Sequence, residues 1–296
     1  MTLFPGFTVQ KIRTRGATIN VRSKGEGEPL LLLHGYPQTH AMWHKVAPDL
    51  ARDYTVVCPD LRGYGDSSKP KGLPDHSNYS KRAMALDMAE VMSALGHERF
   101  HVVGHDRGGR VAHRLARDHA RRVRTLTVLD ISPTLKMYQS TNLQFAKAYW
   151  HWFFLIQEAP TPEKMLEGHV PFYILKRLGR GKSGLKHFSK EAMAEYVRAF
   201  RDPRTIHSTC EDYRAAATID LIHDQKDRTK LKMPLLALWG KHGVIEALFD
   251  CLADWREVAT DVRGRALQCG HFIPEEKPKD LLAELRRFLT QQEASR

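Results

Sequence analysis

The chain of 296 residues carries 46 Lys+Arg against 34 Asp+Glu, a net charge of +12, with 42% hydrophobic and 27% charged residues. This composition supports a packed α/β core and excludes wholesale disorder. No apolar run approaches the ~20 residues that a bilayer span requires. The start, MTLFPGFTVQKIRTRG, shows no basic segment followed by an apolar stretch, so no secretory leader is expected. Cys58, Cys210, Cys251 and Cys269 form no CxxC pair, and reduced thiols in a cytoplasmic protein are expected. The basic excess is spread along the chain, apart from LKRLGRGKSGLK at 175–186. With no nucleic-acid motif, it reads as a solvated surface whose field favours a small anionic substrate.

In chain order, TINVRSK (18–24) alternates like a half-exposed strand and PLLLLHG (29–35) reads as a buried one. YTVVCPD (54–60) is a second buried run, ended by the glycine-punctuated LRGYGDSSKP. Ser80 is placed to cap a helix whose Met84, Met88, Val91, Met92 and Leu95 share one face, with Gly96 closing it. FHVVG (100–104) is a short strand leading to GHDRGGR (104–110), and RVAHRLARDHA continues as a helix. TLTVLDIS (125–132), PLLALWG (234–240) and RALQCGHF (265–272) restore the strand pattern, and an amphipathic helix follows through LLAELRRFL. This alternation predicts a mostly parallel sheet covered by helices on both faces. Expected domains are a core over 1–133, an inserted helical cap over 134–231 and a second core part over 232–296.

Chemistry concentrates at GHDRGGR. Gly104 and Gly108 allow a sharp strand-to-helix turn that lifts the Asp106 side chain above the sheet. Taken alone, Gly-x-Asp-x-Gly is a common turn; its place between a strand and an amphipathic helix makes it a nucleophile elbow. In this fold an acid and then a histidine follow the nucleophile. Asp130, at the end of TLTVLD, and His271, in CGHF, fill that order. HGYP (34–37) follows an early strand, so the backbone N–H groups of Tyr36 and Arg107 are placed to hold an oxyanion. A carboxylate nucleophile suits attack on saturated carbon, giving an alkyl ester that a histidine-activated water then hydrolyses. Arg107 and Arg110 favour its ionised form.

HGYPQTHAMW, VVCPDLRGYGDSSKP, GHDRGGRVAHR, VLDISPT, AYWHWFFLIQ, IHSTCEDYRAAATIDL and GHF together resemble the fluoroacetate (haloacetate) dehalogenases, a family of α/β-hydrolases. The resemblance runs along nearly the whole chain. It implies conversion of a haloacetate to glycolate and halide, with Asp106 as nucleophile, His271 as base and Asp130 as its orienting acid. It further implies that Arg107 and Arg110 grip the substrate carboxylate with planar guanidinium forks. The same resemblance implies that His151, Trp152 and Tyr213 donate to the departing halide, and relatives suggest a homodimer. Without the resemblance, YWHWFFL reads as cap core and Tyr213 as a packing residue.

The stretch ILKRLGRGKSG, after PFY, departs from the family pattern. It carries several basic residues and no tryptophan around Gly181, so a looser cap and an altered substrate preference are expected. GRGKS (179–183) is no phosphate-binding loop, because Lys176 stands where the motif needs glycine. His101/His105 and His40/His44 lack the HExxH form, and neither a catalytic metal nor an organic cofactor is expected. Two other functions fit parts of the pattern. An epoxide hydrolase uses the same three residues, with cap tyrosines as proton donors. A non-catalytic receptor on this fold has no need of a complete Asp106, His271 and Asp130 set.

Overall fold

The computed structural model describes residues 3–181 and 184–293. Its centre is one sheet of β1 (Thr8–Arg13), β2 (Thr18–Lys24), β3 (Pro29–Leu33), β4 (Thr55–Pro59), β5 (Phe100–His105), β6 (Val123–Leu129), β7 (Leu235–Gly240) and β8 (Val262–Leu267). The strand order is β1-β2-β4-β3-β5-β6-β7-β8. The first two strands pair antiparallel and β2 joins β4 antiparallel; every later pairing is parallel. Parallel strands need crossovers on the faces, which explains why Leu30–Leu33 and the whole of β5 are buried. β1 has no counterpart in the sequence reading. It is an edge strand with five of its six residues exposed, so its sequence shows no apolar alternation.

Helix α1 (Lys81–Ala94) begins where expected: the Ser80 hydroxyl accepts the Ala83 N–H at 3.2 Å. Its buried face carries Met84, Met88, Val91 and Met92, and Gly96 follows at φ +82°. Helix α2 (Arg107–Asp118) starts directly after β5 and is buried over its first ten residues. Between β6 and β7 the described residues form eight helices, from Thr134 to Lys226. Three of them matter below: α3 (Trp150–Leu155), α4 (Val170–Leu178) and α5 (Pro203–Ala217). The last helix, α6 (Pro278–Glu293), buries Leu281, Leu285 and Leu289 against the sheet side. No helix among the described residues is long and apolar enough to cross a membrane.

The topology marks one place for ligands. From β3 the chain winds outward to β4 and then returns to β5 on the other side of β3. Loops leaving the carboxyl ends of β3 and β5 therefore diverge and leave a crevice between them. Tyr36 and Asp106 are the residues at that crevice.

Candidate active site

Asp106 sits at φ +48°, ψ −115°, between the last residue of β5 and the first of α2. A non-glycine residue held there is strained, and the surrounding close packing is what sustains it. The expectation that the glycines supply the unusual turn is corrected here: neither Gly104 nor Gly108 has a positive φ. Both are needed for close approach instead. A Cβ on Gly104 would meet the Gly108 carbonyl at 2.5 Å, and one on Gly108 would meet the His34 carbonyl at 2.3 Å.

The Tyr36 N–H donates to Asp106 Oδ1 at 3.0 Å, which leaves Oδ2 as the freer oxygen. Oδ2 lies 3.9 Å from His271 Nε2, beyond hydrogen-bond length. His271 Nδ1 lies 2.6 Å from Asp130 Oδ2, and Asp130 Oδ1 accepts the Gly240 N–H at 2.8 Å. An ionised carboxylate only accepts, so the imidazole carries its proton on Nδ1 and turns a lone pair on Nε2 toward Asp106. All three side chains are buried.

Burial works against the Asp106 anion, but the guanidinium charges of Arg110 and Arg107 favour it, and the carboxyl is held below its ordinary range. Burial lowers His271 well below an ordinary histidine, and the Arg180 charge adds to this. Burial pushes Asp130 up to about 7, while the Gly240 N–H bond favours its anion. The set is thus a ready carboxylate facing a neutral imidazole.

Arg107 and Arg110 lie one helical turn apart on α2 and are both buried, yet they are held differently. Arg107 donates Nε to Asp212 Oδ2 at 3.0 Å and Nη2 to Asp212 Oδ1 at 2.7 Å. Asp212 also accepts the Tyr64 hydroxyl at 2.7 Å and pairs with Lys81. The fork expected to grip substrate is therefore engaged inside the protein, and only Nη1 of Arg107 is buried without a partner. Arg110 forms no carboxylate ion pair among the described residues. Its Nη1 donates to Thr134 Oγ1 at 2.9 Å, and its Nε is buried unpartnered.

The helical segment closes over these arginines with an aromatic face. The Arg107 guanidinium lies 4.1 Å from the Tyr213 ring centre, and that of Arg110 lies 4.8 Å from Trp152. His151, Trp152 and Tyr213 meet at ring-centre distances of 5.8 Å (His151–Tyr213) and 6.3 Å (Trp152–Tyr213). Tyr36 joins them 5.2 Å from Tyr213. Three polar atoms in this face are buried without partners: His151 Nδ1, Trp152 Nε1 and the Tyr213 hydroxyl. A cavity of about 400 Å³ reaches the His271 and Asp130 side of the site, lined also by Tyr149, Arg180 and His242.

Two neighbours of the site were not singled out by sequence. Asp212, which fixes Arg107, lies in the CEDYRAA stretch; its signal was an acid four residues after Ser208 on a wholly buried helix face, visible only once α5 is known to be buried. Arg177 lies in the departing stretch. Its Nη2 reaches Nε2 of His151 at 2.9 Å, and Arg180 places its guanidinium 5.6 Å from the Phe272 ring centre. Arg177 and Arg180 thus pack inward while Lys176 stays exposed; Lys182 and Ser183 lie outside the described residues.

Comparison with known proteins shows the family. A family described as alpha/beta hydrolase fold matches residues 28–278. The chain is 47% identical to a fluoroacetate dehalogenase of Burkholderia sp., over 97% of this chain and 95% of the relative. A solved structure from Nostoc sp. is 55% identical, with a TM-score of 0.93 covering 96% of this chain and 98% of that one. A soluble epoxide hydrolase of Corynebacterium sp. is 37% identical over 92% of this chain and 94% of its own. With an Asp106 elbow, two buried arginines and an aromatic face of unpaired donors, the chain belongs to the fluoroacetate dehalogenase family of α/β-hydrolases.

Proposed function

We propose that this protein is a hydrolase of carbon–halogen bonds that converts haloacetates to glycolate and halide. One observation carries the reading. Five side chains around Asp106 each leave a polar atom buried without a partner: Arg107 Nη1, Arg110 Nε, His151 Nδ1, Trp152 Nε1 and the Tyr213 hydroxyl. Each such atom costs about 1–3 kcal/mol unless a ligand satisfies it. A small acid bearing a halogen meets all five, with its carboxylate on the arginines and its halogen on the other three.

In the first half-reaction Asp106 Oδ2 attacks the CH₂ carbon, and the halide leaves with the bonding pair toward the three donors. Those donors bind a halide ion far better than a carbon-bound halogen, so they lower the barrier rather than only the ground state. The product is an ester between Asp106 and the carboxymethyl group. In the second half, His271 Nε2 takes a proton from water, and the hydroxide adds to the Asp106 carboxyl carbon. Tyr36 N–H, already on Oδ1, and Arg107 N–H, at the start of α2, hold the oxyanion. Collapse breaks the ester bond, His271 returns the proton to the glycolate oxygen, and the new Asp106 carboxyl releases its proton to solvent, regenerating the carboxylate. No metal or organic cofactor has a part in these steps.

An epoxide hydrolase shares the Asp106, His271 and Asp130 chemistry but leaves Arg107 Nη1 and Arg110 Nε unused. The deciding experiment incubates the purified protein separately with fluoroacetate, chloroacetate and a small neutral epoxide. Halide and glycolate should appear in equal amounts, and a single turnover in heavy-oxygen water should label Asp106 rather than glycolate. Diol from the epoxide with no halide from either acid would overturn the reading.

A further inference from the structure

Arg177 has no task in the reaction above, yet it is buried on α4 and forms no ion pair with a carboxylate among the described residues. Its polar contact is with His151, Nη2 to Nε2 at 2.9 Å. A guanidinium has donors only and stays protonated in proteins. Nε2 must therefore accept. An imidazole that accepts on one nitrogen is neutral and carries its proton on the other. That other nitrogen, Nδ1, is the atom left buried and unpartnered in the aromatic face. Burial and the charges of Arg177 and Arg180 likewise keep His151 from protonating.

The ring cannot easily turn away from this arrangement. Tyr36 stacks on His151 at 6.1 Å and 14°, and Tyr213 stands edge-on at 5.8 Å. Were the proton on Nε2 instead, Nδ1 would present a lone pair to whatever occupies the face. A departing halide, itself an acceptor, would be repelled.

We propose that Arg177 is a positioning residue that fixes His151 as the Nδ1–H tautomer, so that a donor and not a lone pair faces the leaving halide. This rests on the haloacetate reading for its purpose, though not for its geometry. The fixed cation behind the ring also polarises the Nδ1–H, because hydrogen bonds in a chain strengthen one another. Fluoride needs such donors more than chloride does, since its charge is confined to a smaller ion and its bond to carbon is harder to break.

The test reads the tautomer directly, by nitrogen–proton spectra of the full chain with labelled histidine, His151 being assigned by its loss in His151→Gln. The wild type should show Nδ1–H. In Arg177→Met the proton should move wholly or partly to Nε2, and Arg177→Lys, which keeps a cationic donor, should restore the original form. In kinetics, Arg177→Met should lose about tenfold more in kcat with fluoroacetate than with chloroacetate, less than the loss a deleted donor causes because the donor is misdirected rather than removed. An Nε2–H tautomer in the wild type, or an unchanged Nδ1–H in a folded Arg177→Met, would overturn the proposal. If neither haloacetate turns over, the function proposed above falls, while the spectra still decide the role of Arg177.

Discussion

The two walls of the site are built on opposite rules. On the sheet side, each reacting group is already tied to the protein: Asp106 to Tyr36 N–H, Asp130 to Gly240 N–H, and His271 to Asp130. On the helical side, His151, Trp152 and Tyr213 each keep a buried donor free. Backbone partners at strand ends cannot drift, which suits groups that must meet at fixed distances. Unsatisfied donors store an affinity that only the right ligand releases. On the function proposed above, reaction type resides in the sheet wall and substrate choice in the helical wall.

The largest effect expected from breaking this contrast is at the sheet wall. Asp106→Asn should lower halide release by at least about 10⁴-fold, since no nucleophile remains. His271→Ala should separate the half-reactions. About one halide per site should appear, and the protein should gain the mass of one carboxymethyl group that persists on Asp106. A full turnover in His271→Ala would show that another base serves.

On the helical wall, losses should depend on the halide. Trp152→Phe, which removes one N–H and keeps an aromatic ring, should reduce fluoride release about 10²-fold and chloride release less. Tyr213→Phe should behave alike. Equal losses for both halides would place these residues in packing rather than in leaving-group stabilisation.

The arginines span the two walls and should split stability from binding. Arg110→Gln should raise KM for haloacetates with little loss of stability. Arg107→Gln should do both, because Asp212 loses its bidentate partner in a buried site; about 3 kcal/mol is the scale of such a loss, readable in a denaturant melt. Similar melts for the two variants would refute the distinct anchoring.

A smaller effect follows from buried histidines outside the reaction. Burial lowers His34 and His105 to about 4, against 6.5 for the free side chain. Between those values the unfolded chain binds protons that the native chain refuses, so stability is full above about 6.5 and falls as the pH drops toward 4. Asp130 and Glu275, raised to about 7, act in the opposite sense over part of that range. Lowered histidines are the more numerous group, and the melting temperature should decline from pH 6.5 to pH 4. A flat profile would mean that the two sets cancel.

Much of the fold was legible because its signals are local. Apolar runs at β3 to β7, the Ser80 cap and the Gly104 and Gly108 spacing belong to neighbouring residues, and local sterics and burial write them into the chain. The order of Asp106, Asp130 and His271 was legible for the same reason, since each follows a recognisable strand. β1 was not, because an exposed edge strand needs no apolar pattern. Which residue bears the strain was not either: the glycines look like the turn-makers, while packing puts the positive φ on Asp106 itself.

What sequence alone determined, then, was the sheet, the elbow and the carboxylate that stands on it. Tertiary structure decided how the remaining polar groups are shared out. Arg107 and Arg110 read alike in GHDRGGR, yet Asp212, more than a hundred residues later, engages one as an ion pair while the other rests on neutral partners such as Thr134. Arg177 reads as one more surface charge until α4 packs it against His151. Hydrogen-bond partners distant in sequence have no periodicity that could announce them, and only the folded chain brings donor to acceptor.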